Sequence, residues 1–154
     1  MLANPDFMKN PQKSIHDAIE HIQQVLENSF IDTGFSGSTL IALLILNNQI
    51  ISSNIGDSRA ILAKKNDNSW NFLNLSYDHK PDIPLEKERI LKQGGIIEPF
   101  KDEDGRFLGP LRVWHSNGKS GNNCGIAMTR SIGDKIVKSV GVTWEPGKKM
   151  MFYF

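Results

Sequence analysis

The chain has 154 residues, 39% of them hydrophobic and 23% charged, the balance of one soluble globular domain with room for a sizeable core. Eighteen Lys and Arg against seventeen Asp and Glu leave a formal net charge of +1, and the charges are scattered, which argues against nucleic acid or a membrane surface as partner. A single cysteine, Cys124, excludes an internal disulfide, and residues 1–13 lack the basic start and apolar stretch of a signal peptide, so an intracellular place, cytoplasmic or nuclear, is expected.

In chain order, Ser14 with Asp17 three residues on predicts a capping box. Ile15, Ala18, Ile19, Ile22, Val25 and Leu26 then recur at helical spacing, predicting one amphipathic helix that ends near Thr33-Gly34. The continuous β-prone run 38–46, the turn Asn47-Asn48 and the run 49–54 predict two strands, the first buried on both faces. Its apolar stretch falls far short of the ~20 residues that a membrane-spanning helix needs. A third strand over 60–64, a polar turn over 65–69 and a fourth strand over 70–75 predict an antiparallel meander.

Pro84 at a first-turn position, helix formers over 85–93 and a closing Gly94-Gly95 predict a second helix. The segment 96–124, with its turn-rich stretches Asp102-Glu103-Asp104-Gly105 and 116–123, reads as a surface flap or lid. A strand over 125–129 and a short helix over 133–139 are expected after it.

Several short runs follow one another in a telling order: Ser36-Gly37-Ser38-Thr39, Asn54-Ile55-Gly56-Asp57-Ser58-Arg59-Ala60, Leu75-Ser76-Tyr77-Asp78-His79-Lys80-Pro81, Glu88-Arg89-Ile90 with Gly94-Gly95, and Ala127-Met128-Thr129-Arg130-Ser131-Ile132-Gly133-Asp134. Together with Gly141-Val142 and Glu145-Pro146, they make the chain resemble the type 2C metal-dependent serine/threonine protein phosphatases over nearly its whole length. The resemblance implies an α+β fold, a four-layer α-β-β-α sandwich of antiparallel sheets flanked by helices. Residues 1–154 would be the central portion of a single catalytic domain, incomplete at both ends.

It further implies hydrolysis of phosphoserine or phosphothreonine in phosphorylated protein substrates by water activated on Mg²⁺ or Mn²⁺, a chemistry in which the cation lowers the water's pKa and offsets phosphoryl charge. Asp57 is the one carboxylate matching a metal-associated position of the family, beside the central metal pair. Read without the family, Gly56-Asp57-Ser58 after a strand is a turn whose aspartate accepts backbone hydrogen bonds. His79 is expected to be structural despite its catalytic look, and Arg130 and Asp134 to support the fold by pairing and helix capping. No catalytic side chain is assigned.

The family's Asp-Gly-His-Gly-Gly stretch upstream of Ser36-Gly37-Ser38-Thr39 and its Asp-Gly and Asp-Asn motifs downstream of Glu145-Pro146 do not occur in this sequence. Without a bridging carboxylate, two cations repel each other, so the chain alone is expected not to bind the central pair and to be weak or inactive. Exposed strand edges and apolar faces are expected to favour association. The alternative is a non-catalytic, truncated binding or regulatory module of the same fold.

Three other motifs fail on chemistry. Cys124 with Arg130 and Ser131 has the spacing of cysteine-dependent phosphatases, but Ala127 stands where a glycine is expected and Ile126 and Met128 read as strand residues. Asn117-Gly118-Lys119-Ser120 lacks the first glycine of a phosphate-binding loop, and Gly105 falls too early for a calcium-binding EF-hand loop.

Overall fold

The computed structural model describes residues 6–115 and 125–152; Cys124, the polar stretch 116–123 and with it Asn117-Gly118-Lys119-Ser120 lie outside the described residues. Helix α1 (Pro11–Glu27) starts earlier than the sequence suggests. Asn10, not Ser14, is its cap: the Asn10 side chain accepts a hydrogen bond from the Lys13 N–H at 3.0 Å, and Pro11 fills a first-turn position where no N–H is needed. Ser14 is buried within the helix. The helix also ends short of Thr33-Gly34, because Asn28 Nδ2 and Ser29 Oγ donate to the carbonyls of Gln24 and Leu26 and close the last turn.

Strands β1 (Gly37–Ser38), β2 (Leu40–Leu46) and β3 (Gln49–Ile55) follow; β2 and β3 pair antiparallel around Asn47, whose φ of 51° is the positive value expected of this turn. The expectation of a doubly buried β2 is corrected. It is an edge strand of a three-stranded sheet, with Leu43 45% and Ile45 60% exposed, while β3 is the buried central strand. Leu40 and Leu44 pack onto the cluster of Ile15, Ile19, Ile51, Ile55 and Ile132, whereas alternate side chains point the other way, where no core cluster meets them among the described residues. Strand β10 (Gly147–Phe152), absent from the sequence reading, fills the other edge of β3.

That occupation also breaks the expected meander. β4 (Ile61–Asn66) and β5 (Ser69–Asn74) form a separate two-stranded sheet around a tight turn at Asp67-Asn68. Between β3 and β4 the chain swings away at Gly56, whose φ of +91° suits glycine. Register pairs Ala63 with Phe72 and Lys65 with Trp70, so Phe72 and Trp70 share a face, and both are more than half exposed.

Helix α2 (Pro84–Lys92) begins at its proline and gives way to Gly94 at φ +80°, as predicted. The flap is built, within its described part, as an antiparallel hairpin of β6 (Ile96–Lys101) and β7 (Phe107–Trp114), to which β8 (Gly125–Ile126) adds a short third strand. The strand expected over 125–129 is thus two residues long, and β9 (Ile132–Gly133) pairs back with β1 before helix α3 (Lys135–Lys138). A second core of Ile90, Val113, Val137, Val140 and Val142 ties α2, the flap and α3 together. Helices and antiparallel sheets in one chain give the expected α+β class.

Candidate functional site

The turn that leaves β3 lies along the segment 75–80, and the two are joined by hydrogen bonds over their whole length. Leu75 N–H donates to Ala60 O at 2.9 Å, Ala60 N–H to Ser76 Oγ at 2.9 Å, and His79 N–H to Gly56 O at 3.0 Å. Asn54, 2% exposed, donates through Nδ2 to Tyr77 O at 2.8 Å and Gly56 O at 3.1 Å. The buried Asn54 Nδ2 finds two acceptors here that strand pairing does not supply. Arg59 grips Asp78 with two parallel bonds of 2.8 and 2.9 Å, which hold the Asp78 carboxyl below its ordinary range.

His79 is part of this seam. It is buried, its Nδ1 accepts the Gly56 N–H at 3.2 Å, and burial, with the nearby Arg130 charge, lowers its pKa to about 4. A neutral imidazole accepting at Nδ1 carries its proton on Nε2. The structural role expected from the sequence holds.

Asp57 sits on the turn itself. Its side chain is about one-third exposed at 32%, and its Oδ2 accepts a hydrogen bond from the Lys80 ammonium, which crosses the seam. Ser58 beside it shares a 2.8 Å hydrogen bond with Thr39, anchoring the turn to the end of β1 and the start of β2.

Beneath the seam lies a carboxylate the sequence reading did not single out. Glu86, 3% exposed on the first turn of α2, receives Arg89 at 3.0 and 2.7 Å, Thr129 Oγ1 at 2.6 Å, and the Nε and Nη2 of Arg130. Burial opposes its charge, but the bonds from Arg89, Arg130 and Thr129 outweigh it and hold the group well below the usual carboxylate range. Arg130 also donates to Glu145 O at 2.8 Å, and Arg89 to Gly141 O at 2.9 Å and Thr129 O at 3.0 Å. The pairing expected of Arg130 is therefore observed; the Glu86/Arg89 spacing of three was the one local hint of it.

Asp134 departs from expectation. It stands at the cap position of α3 but in the left-handed region, φ 48°, and makes no side-chain capping bond. The first N–H groups of α3 are already taken, Lys135 by Thr33 O and Ile136 by Gly34 O, so the carboxylate has no orphan donor to cap. It turns instead toward Gly37, where a Cβ would lie 2.0 Å from Oδ2.

A cavity of about 410 Å³ opens between Glu27, Arg89, Arg130, Lys138, Trp144 and Glu145, away from Asp57. Its arginines are committed to Glu86, and burial lowers Lys138 to about 8 while its ammonium bonds Ser131. Among the described residues no group of three or more His, Cys, Asp or Glu side chains converges. Asp57, one carboxylate already paired with an ammonium, does not by itself fit a divalent metal centre, which needs several oxygen ligands.

These helices and antiparallel sheets, with an aspartate on the turn after a central strand, define an α+β sandwich protein. The family profile of Protein phosphatase 2C matches residues 3–150, and the chain belongs to that family. It is 33% identical to "Probable protein phosphatase 2C 35" of Arabidopsis thaliana over 96% of this chain and 46% of that protein. With "Probable protein phosphatase 2C 12" of Oryza sativa subsp. japonica it shares 38% identity over 75% of this chain and 28% of that protein. The chain thus spans less than half the length of these curated relatives. Among solved structures, the serine-threonine phosphatase 2C from Toxoplasma gondii superposes with a TM-score of 0.74 at 18% identity, covering 98% of this chain and 50% of that one. A C. elegans sex determining protein superposes at 0.69 and 21% identity, over 93% of this chain and 31% of that one, and shares the fold.

Proposed function

We propose that this chain is the central portion of a protein serine/threonine phosphatase catalytic domain, acting on phosphoserine and phosphothreonine of intracellular proteins, in the cytoplasm or nucleus. The observation that carries the proposal is the family match across residues 3–150. Type 2C phosphatases are metal-dependent, and Mg²⁺ or Mn²⁺ is the cation class we assign, since hard cations suit carboxylate and water oxygens. Asp57 is the side chain of this chain that we assign to the rim of the metal site. Its turn is fixed by the seam at Gly56, Ser58 and Arg59, which leaves a partly exposed carboxylate on a rigid base.

No hydrolytic step is derived through Asp57, because one carboxylate cannot hold a cation pair. The expected behaviour follows: the 154-residue chain with Mn²⁺ shows little turnover of a phosphothreonine peptide, and supplying the flanking portions that the longer relatives possess raises it strongly. Absence of turnover in the extended protein would overturn the enzyme reading and leave the binding module. No helix among the described residues is long and apolar enough to cross a membrane.

A further inference from the structure

The face of β3 that turns away from α1 carries a polar site of its own. Ile51 and Ile55 belong to the apolar cluster against α1, so by strand alternation Ser52 and Asn54 look the opposite way, toward the segment 75–79. A small cavity of about 80 Å³ lies there, between β3, the seam and the start of β10, with Ser52, Asn54, Ser76, His79 and Gly147 on its walls. We propose that this cavity is a site for internal water, which joins the His79 ring to β3 across the seam.

Three polar groups make the case. Ser52 and Asn54 are each 2% exposed, and Ser52 Oγ and Asn54 Oδ1 have no hydrogen-bond partner within the described protein. Asn54 Nδ2, by contrast, is used twice, on Tyr77 O and Gly56 O, which fixes the orientation of the amide. His79 accepts at Nδ1 and so carries its proton on Nε2, for which the described residues supply no acceptor. That nitrogen faces β10, since a Cβ at Gly147 would lie 2.7 Å from it. Glycine at this position keeps open the space in front of the Nε2–H.

Buried polar groups without partners are costly, and a water with two to four polar neighbours satisfies them. The cavity exceeds the ~10–15 Å³ that one water requires and has room for about two. Its lining also selects water over an ion. Nε2–H only donates, Asn54 Oδ1 only accepts and Ser52 Oγ does both, so the ligand has to donate and accept at once. A metal cation would meet the His79 N–H, and an anion the Asn54 oxygen. Lys149, on the rim, is spent elsewhere: its ammonium donates to Asn74 O and the Tyr77 hydroxyl.

The test counts water directly, by water-oxygen magnetic relaxation dispersion on the 154-residue chain. Waters held for longer than the protein takes to tumble raise the dispersion amplitude, and serine hydroxyls do not contribute to an oxygen signal. Ser52→Val, which removes the hydroxyl and fills the space with methyl groups, is expected to lower the amplitude by about one to two water molecules per chain. An unchanged amplitude overturns the proposal.

A crystal structure of the unmodified chain decides the matter even if Ser52→Val fails to fold. Water within hydrogen-bond reach of both His79 Nε2 and Asn54 Oδ1 is the expected result. A dry cavity, an ion identified there by anomalous scattering, or side chains rotated to pair with one another overturns the proposal. None of these outcomes touches the phosphatase reading, which is judged by turnover in the extended protein.

Discussion

Two carboxylates of this protein are each neutralised by cations, and they are held in opposite ways. Glu86 is 3% exposed and saturated by two arginines and a threonine, whereas Asp57 is one-third exposed and held by a single lysine. A desolvated charge has to be matched on every lone pair, so Glu86 is locked into the fold and has no capacity for a ligand. A charge that is one-third exposed keeps part of its hydration and can exchange partners at little cost. The difference separates a carboxylate committed to the fold from one that stays within reach of solvent, and a strongly shifted acidity, as at Glu86, here marks a structural group.

The contrast is sharpest in stability. Glu86→Gln leaves two partly buried guanidinium groups without their shared anion and is expected to cost about 3 kcal/mol in urea unfolding. A loss below about 1 kcal/mol would show that the knot around α2 is no more structural than a surface pair, and would erase the distinction.

Acid should unpick the same region in a defined window. His79 is neutral when folded, with a pKa lowered from 6.5 to about 4, so between these values the unfolded chain binds the extra proton and stability falls as pH falls. The loss from this one group reaches up to roughly 3 kcal/mol by the lower end of the window. Glu86, whose folded pKa is depressed, contributes stability that is present above the ordinary carboxylate range and is lost only on further acidification. Urea midpoints measured across this range should fall in that order, and a midpoint that is flat down to about pH 5 would break the assignment of a buried, neutral His79.

Smallest of all is the effect expected at the exposed pair. Lys80→Met or Asp57→Asn should change stability by no more than about 1 kcal/mol in the same assay. A larger loss would move Asp57 to the Glu86 side of the comparison, as a brace rather than an exchangeable group.

The β4–β5 hairpin offers a further lesson about what patterning conveys. Trp70, Phe72 and Leu73 read as ordinary strand residues, and the strands formed, yet each is 47–67% exposed. Residue alternation shows that a face is apolar; whether something covers that face is a property of tertiary neighbours. The same gap explains β2, whose continuous apolar run suggested burial on both faces but which lies at a sheet edge, with no strand among the described residues on its outer side.

Much of the local structure was legible because its causes are local. The turn at Asn47, the proline start and glycine stop of α2 and the flap as an excursion all follow from residues a few positions apart. The family, too, was readable from short runs of sequence, and its profile covers residues 3–150. What only the tertiary structure decided concerns partners distant in the chain: the pairing of Glu86 with Arg130, the seating of β10 on β3, the uncapped Asp134 beside Gly37, and the reach of Lys80 to Asp57. A side chain's type states what it can bind. Which oxygen it meets depends on how distant segments are packed, and at Asp57 that packing supplied a lysine.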